Sequence, residues 1–262
     1  MTFMATKNQI KYYSSLLQKK YRESEKKFIV EGKRIVEEGL KSKFRCEAVL
    51  ITKEFETKEK NFLAQLNTQK IKPAVLNSAD FKKISDTKTP QGIAAVFNTE
   101  PLLSKRIQDI QSELIVGLEN INDPGNLGTI LRTCNWFNIN DVLINSNSVE
   151  VFNPKVLRSS MGSVFHLNIY TNIDFRKEIN YLKEFGYQFI CADTKGKNVY
   201  EFNFPIKTIL FFCSEANGPS KELLANIDEK ITVPKFGKAE SLNVSSAVSA
   251  ILSEFKRKKG SR

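Results

Sequence analysis

Short apolar runs alternate with longer amphipathic stretches from one end of the chain to the other. Ile10, Tyr13, Leu16 and Leu17 recur at helical spacing and predict a basic amphipathic helix over 7–20. FIVEG, 28–32, predicts a strand that stops at a glycine. KRIVEEGLKS then reads as a helix and CEAVLIT, 46–52, as a second strand. KNFLAQLN and NSADFKKIS read as short helices, the second opened by Ser78 or Asp80 as its cap. The turn TKTPQG leads into a third strand, GIAAVF. Residues 1–100 are therefore expected to form a small α/β domain, followed by a proline-containing linker at 101–112.

From residue 113 to 262 the alternation restarts. ELIVGLE, DVLIN, HLNIYT, YQFICADT, TILFFCSE and KITVPK read as strands. LGTILRTCNWF, PKVLRSSMG, DFRKEINYLKEFG and SLNVSSAVSAILSEFKRKK read as helices between and after them. Runs as apolar as ILFFC imply a parallel sheet covered on both faces. The expected class is α/β in both parts.

Charge divides the chain in another way. Of the net +11, residues 1–100 hold 20 basic against 12 acidic groups, and the tail KRKKGSR adds five positive charges. The middle is nearly neutral. Such ends suit a polyanion such as RNA, with solubility as the plainer reading. No long apolar run predicts a membrane span, and MTFMATKNQIKYY lacks the apolar block of a secretory signal. Cys46, Cys134, Cys191 and Cys213 are scattered and His166 is the single histidine. That argues against a zinc site and for a reducing cytoplasm.

Three strand-end loops carry the candidate chemistry. In NINDPGNLGTILRTCNWF, Pro124 fixes φ, Gly125 and Gly128 allow close backbone approach, and Asn126 both donates and accepts. Leu127, Ile130, Leu131, Cys134 and Phe137 share one side of the following helix, with Arg132 opposite and Trp136 one turn on. Arg132 sits early in that helix, where the dipole disfavours a cation, and after a strand end where open α/β sheets hold ligands. The alternative is a solvated surface arginine. FFCSEANGPS brings Glu215, Asn217, Gly218 and Pro219; VPKFGKAESLNVSSAVSAI brings Ser241, Asn243 and Ser245. Each could be a cap or ion-pair partner, yet three such loops can line one cleft. A Rossmann oxidoreductase is disfavoured, because the spacing is GxxG and no acid ends the next strand. No GxSxG serine supports a hydrolase.

These three motifs resemble those of the SpoU/TrmH group, RNA ribose 2′-O-methyltransferases of the SPOUT superfamily. The likeness rests on N-x-x-D-P-x-N-x-G-x-x-x-R (120–132), S-E-x-x-G (214–218) and V-P-x-x-G-x-x-x-SLNVS (233–245). The front domain, with FIVEGKRIVEEGL and TPQGIAAVF, is similar to substrate-binding domains that grip kinked RNA. The resemblance implies a SPOUT domain at 113–262 with a parallel sheet and a deep trefoil knot, S-adenosylmethionine as cofactor, and a homodimer. It implies Arg132 as the catalytic arginine, with Asn126, Glu215, Ser241 and Asn243 orienting it, the ribose and the cofactor. It implies a cofactor pocket at Cys213, Val233 and Leu242, and near Thr194, with no metal. Fold-level likeness favours ribosomal RNA over transfer RNA. A protein that kept the fold and binds RNA without catalysis is the alternative from another class. Cys213 stands where the group usually has glycine, and Lys235 where it often has methionine.

Overall fold

The computed structural model describes residues 2–68, 70–215 and 218–260. Asn217, singled out above, and Arg262, the last charge of the tail KRKKGSR, lie outside them. The described chain forms two compact units, one of 1–104 with 152–165 and one of 105–151 with 166–262.

In the first unit, five strands form a mixed sheet. They are β1 (Phe3–Met4), β2 (Lys27–Glu31), β3 (Cys46–Thr52), β4 (Ala74–Leu76) and β5 (Ile93–Asn98), in the order β1-β4-β3-β5-β2. β4 runs parallel to β1 and β3, while β5 is antiparallel to β2 and β3. The expected helix over 7–20 is two helices, Lys7–Ser15 and Lys19–Glu25, and β1 and β4 were not anticipated. Two and three residues are too few for a periodic signal. The helix after β4 is capped by Asn77, whose side chain accepts Asp80 N–H at 2.8 Å, in place of the expected Ser78 or Asp80. Gly32, φ +113°, makes the turn out of β2 that a side chain would strain.

The segment Phe152–Phe165, expected in the second domain, packs in the first. Its rings decide this. Phe152 stacks on Phe28 with centroids 4.5 Å apart, and Phe165 meets Phe97 and Phe44 edge-on at 5.1 and 5.2 Å. Val156 and Leu157 of helix Pro154–Ser160 are buried, and Arg158 pairs with Asp86 at 2.5 Å.

The second unit holds β6 (Leu114–Glu119), β7 (Asp141–Asn145), β8 (Asn168–Ile173), β9 (Gln188–Asn198), β10 (Thr208–Cys213) and β11 (Glu229–Thr232). Every pairing is parallel, in the order β11-β9-β10-β6-β7-β8. Helices Pro124–Trp136, Phe175–Glu184 and Val244–Gly260 cover it. All of β6 and β7 and all of β10 but Cys213 are buried, as their largely apolar sequence requires. β9 is the longest strand; β11 joins it through a register shift at Lys230/Ile231. An added Cβ on Gly196 would lie 2.4 Å from the Ile231 carbonyl carbon, so glycine lets the two backbones meet. Among the described residues no helix is long and apolar enough to cross a membrane.

Candidate active site

Helix Pro124–Trp136 begins at Asp123, whose carboxylate accepts Asn126 N–H at 2.8 Å. Pro124 occupies the first turn, where its missing N–H costs nothing. Leu127, Ile130, Leu131 and Cys134 are buried, which leaves Arg132 and Trp136 on the open side.

The two later motifs meet this turn. Asn243 Nδ2 donates to Asn126 Oδ1 at 3.0 Å. Val244 N–H donates to Glu215 Oε1 at 2.6 Å. The final helix starts at Val244, not at Ser241, and so opens against a carboxylate, which suits the positive end of its dipole. Asn243 Oδ1 accepts both Ser245 N–H, at 3.0 Å, and the Ser245 hydroxyl, at 2.6 Å. The capping role open to these residues is therefore real, and it fixes them beside one another.

A cavity of about 240 Å³ lies beside the middle of β9 and the carboxyl ends of β10 and β11, under the first turns of the final helix. Thr194, Cys213, Glu215, Val233, Ser241 and Leu242 all line it. Phe212, Ile231, Val244, Ala247 and Ile251 supply apolar surface. Asn126 and Asn243 stand outside the lining but are joined to it, since Asn243 lies between Leu242 and Val244. Arg132 is exposed, does not line the cavity, and has no ion pair among the described residues. Of nine expected site residues, a single chain thus gathers eight.

Two residues in the site's fabric were not read from sequence. Glu119 ends β6 and is 6% exposed. It accepts Ser220 N–H and the Ser220 hydroxyl, both at 2.8 Å, and the Cys213 thiol at 3.8 Å. It ties both ends of the 213–220 segment to the sheet. An acid closing the apolar run LIVGLE was the available signal. Asp193 also lines the cavity and pairs with Lys230 Nζ at 2.8 Å. That bond is the first cause of a carboxyl pKa below its ordinary value, so Asp193 is ionised at neutral pH.

A hydrogen bond with Cys191, then burial, then the Glu119 carboxylate push the Cys213 thiol far above its usual range. Cys213 is a neutral wall of the cavity, not a nucleophile. Among the described residues the lining holds two carboxylates, Asp193 and Glu215, and no lysine or arginine. It can accept a compact cation with apolar parts. Among the described residues no cluster of three His, Cys, Asp or Glu side chains is placed to hold a metal.

Residues 113–253 match the SpoU rRNA methylase family, and residues 7–95 match the MRM3-like substrate-binding domain. The chain is 30% identical over 250 residues to the 23S rRNA (guanosine(2553)-2′-O)-methyltransferase RlmP of Bacillus subtilis, covering 95% of this chain and 96% of that one. A protein of Porphyromonas gingivalis assigned to the TrmH family of RNA methyltransferases superposes with a TM-score of 0.83 at 33% identity, over 97% and 99% of the two chains. The fold is also that of AviRb from Streptomyces viridochromogenes, a SpoU methyltransferase solved with AdoMet, at a TM-score of 0.85 and 20% identity over 98% and 99%. With its three motifs gathered at one cavity and more than half its length matched to that family, the chain belongs to the SpoU rRNA methylase family.

Proposed function

We propose that this chain moves a methyl group from S-adenosylmethionine to a ribose 2′-hydroxyl of structured RNA, with ribosomal RNA the substrate over transfer RNA. The observation that carries this reading is the meeting of three distant motifs at one cavity. Asn126 bonds Asn243, Glu215 bonds Val244, and Cys213, Val233 and Leu242 form wall. Family membership and likeness to RlmP along nearly the whole chain support the reaction and the ribosomal substrate. The cavity suits the cofactor. Its apolar side chains offer surface for adenine, and among the described residues its lining has no lysine or arginine to repel a sulfonium. When bound, the cofactor supplies an activated methyl group and a neutral leaving thioether.

The chain's part is alignment and proton removal. Asn126, Ser241 and Asn243 would orient the ribose, and Glu215 would hold the helix start that closes the pocket. Arg132 would position phosphate and ribose. A guanidinium at rest keeps its proton too firmly to be an easy base. Arg132 stands with Trp136, 83% exposed, on the open side of its helix. We read that side as covered by a second copy, in a homodimer that completes the site. The knotted threading implied by the motifs belongs to this reading.

The first unit would hold the RNA. It carries a cleft of about 620 Å³ bordered by Lys33, Lys58 and Lys82 together with Glu54 and Glu59, the last paired with Lys33. Its positive balance suits phosphate and makes binding salt-sensitive. The four free cysteines suit a reducing cytoplasm. Calorimetric titration with S-adenosylmethionine tests the cofactor assignment. Saturable heat that Leu242→Arg removes is expected. No heat at saturating cofactor would favour an RNA-binding protein without catalysis.

A further inference from the structure

Phe236 is 96% exposed, the most open large apolar side chain among the described residues. It lies on the loop between β11 and the final helix, flanked by Lys235 and Lys238. Both lysines are exposed, and neither meets a carboxylate among the described residues. The loop is anchored at both ends to the cavity, by Val233 on one side and Ser241 and Leu242 on the other. Three residues span at most about 11 Å, so Phe236 stays close to the cavity mouth. Leu242, 48% exposed, carries apolar surface from the mouth outward.

A fully exposed phenylalanine gains nothing from folding. Between two free cations it has the make-up of a nucleic-acid contact, an aromatic face for a base and charge for the backbone on either side. We infer that Phe236 stacks on a base of the RNA, that of the target nucleotide or its neighbour, while Lys235 and Lys238 hold the adjoining phosphates. A base drawn onto this ring is unstacked from its own helix, and its ribose is turned toward the cavity. Such stacking tolerates any base, so Phe236 sets the pose of the nucleotide and leaves its identity to other contacts. The inference rests on the methyl-transfer reading of the cavity.

The test compares wild type with Phe236→Ala, Phe236→Leu and Phe236→Trp. Each change sits in open solvent and leaves the core intact. The readouts are affinity for in-vitro-transcribed large-subunit ribosomal RNA, KM and kcat with that RNA, affinity for S-adenosylmethionine, and sedimentation. Phe236→Ala and Phe236→Leu are expected to weaken RNA binding and raise its KM by about 5- to 100-fold. Phe236→Trp is expected to restore both, with cofactor affinity and sedimentation unchanged throughout. RNA affinity that is equal in all four proteins would overturn the inference. So would a loss that follows a change in sedimentation, because the ring would then be a contact between copies. RNA affinity decides the matter without turnover, so a wild type that binds RNA but transfers no methyl would sink the methyl-transfer reading by itself.

Discussion

Arg132 carries a full charge on an open helix face, one turn before an exposed tryptophan, and folding gives it no partner among the described residues. At the ninth position of a 13-residue helix Arg132 lies nearer its C-terminal end, so the dipole does not oppose its charge as the sequence had suggested, and its exposure without such a partner is what marks it. Arg132→Ala is expected to lower methyl transfer by at least 100-fold while S-adenosylmethionine binds within twofold of wild type, measured by single-turnover kinetics and calorimetry. Arg132→Lys should rescue little, since a point charge lacks the planar fork that grips phosphate. Turnover near normal in Arg132→Ala would remove it from the mechanism. Glu119 works differently, from beneath the cavity. Glu119→Ala leaves the part-buried Ser220 N–H without its acceptor and removes a buried carboxylate, for which about 1–3 kcal/mol of stability is expected to be lost. Because the same carboxylate braces the wall at Cys213, cofactor affinity should fall as well. Denaturant melts and cofactor titration of one preparation read both, and unchanged affinity would show that the brace serves stability alone.

At the scale of elements, the cavity depends on β10 and β11 ending beside the middle of β9. β11 is short, lies at the sheet edge and joins β9 through a shifted register, so its place depends on its contacts with β9. Gly196 is one of them. A methyl there meets the Ile231 backbone, which cannot rotate aside, and Gly196→Ala should cost about 2 kcal/mol or more and loosen cofactor binding. Unaltered melting would mean that the strands separate more easily than their spacing suggests. The Lys230–Asp193 pair is another contact. Asp193 titrates below its ordinary 3.8, so the pair's contribution is complete above about pH 5 and is lost as acid protonates the carboxylate. Lys230, raised by the same bond, keeps its charge until pH exceeds its ordinary 10.5. The stability gap between wild type and Lys230→Gln should therefore be constant, about 0.5 kcal/mol, from pH 5 to 9, and close below about pH 4. A gap that widened in acid would contradict the pairing.

Over the whole molecule, regular periodicity was the legible part of the sequence. Each of the six parallel strands was visible as an apolar run, and the buried side of helix Pro124–Trp136 was correct residue by residue, with Phe137 half-buried at its end. Three motifs separated by up to 117 residues were expected at one cleft, and the Asn126–Asn243 bond joins the first to the last. What escaped was decided by tertiary partners. Phe152–Phe165 looks like one more helix of the second domain, and the rings of Phe28, Phe44 and Phe97 explain why it packs with the first. β4 is three residues long and exists because β1 and β3 flank it. Glu119 reads as a strand end until Ser220, 101 residues later, supplies its donors.

One measurement reaches furthest. The protein is incubated with unmodified large-subunit ribosomal RNA and S-adenosylmethionine carrying an isotopically labelled methyl group, the RNA is digested to nucleosides, and the label is located by mass spectrometry. A labelled methyl on the ribose 2′-oxygen of a single nucleotide is the expected result, absent with Arg132→Ala. Label on a base, or none although RNA and cofactor both bind, would contradict ribose methylation by this chain.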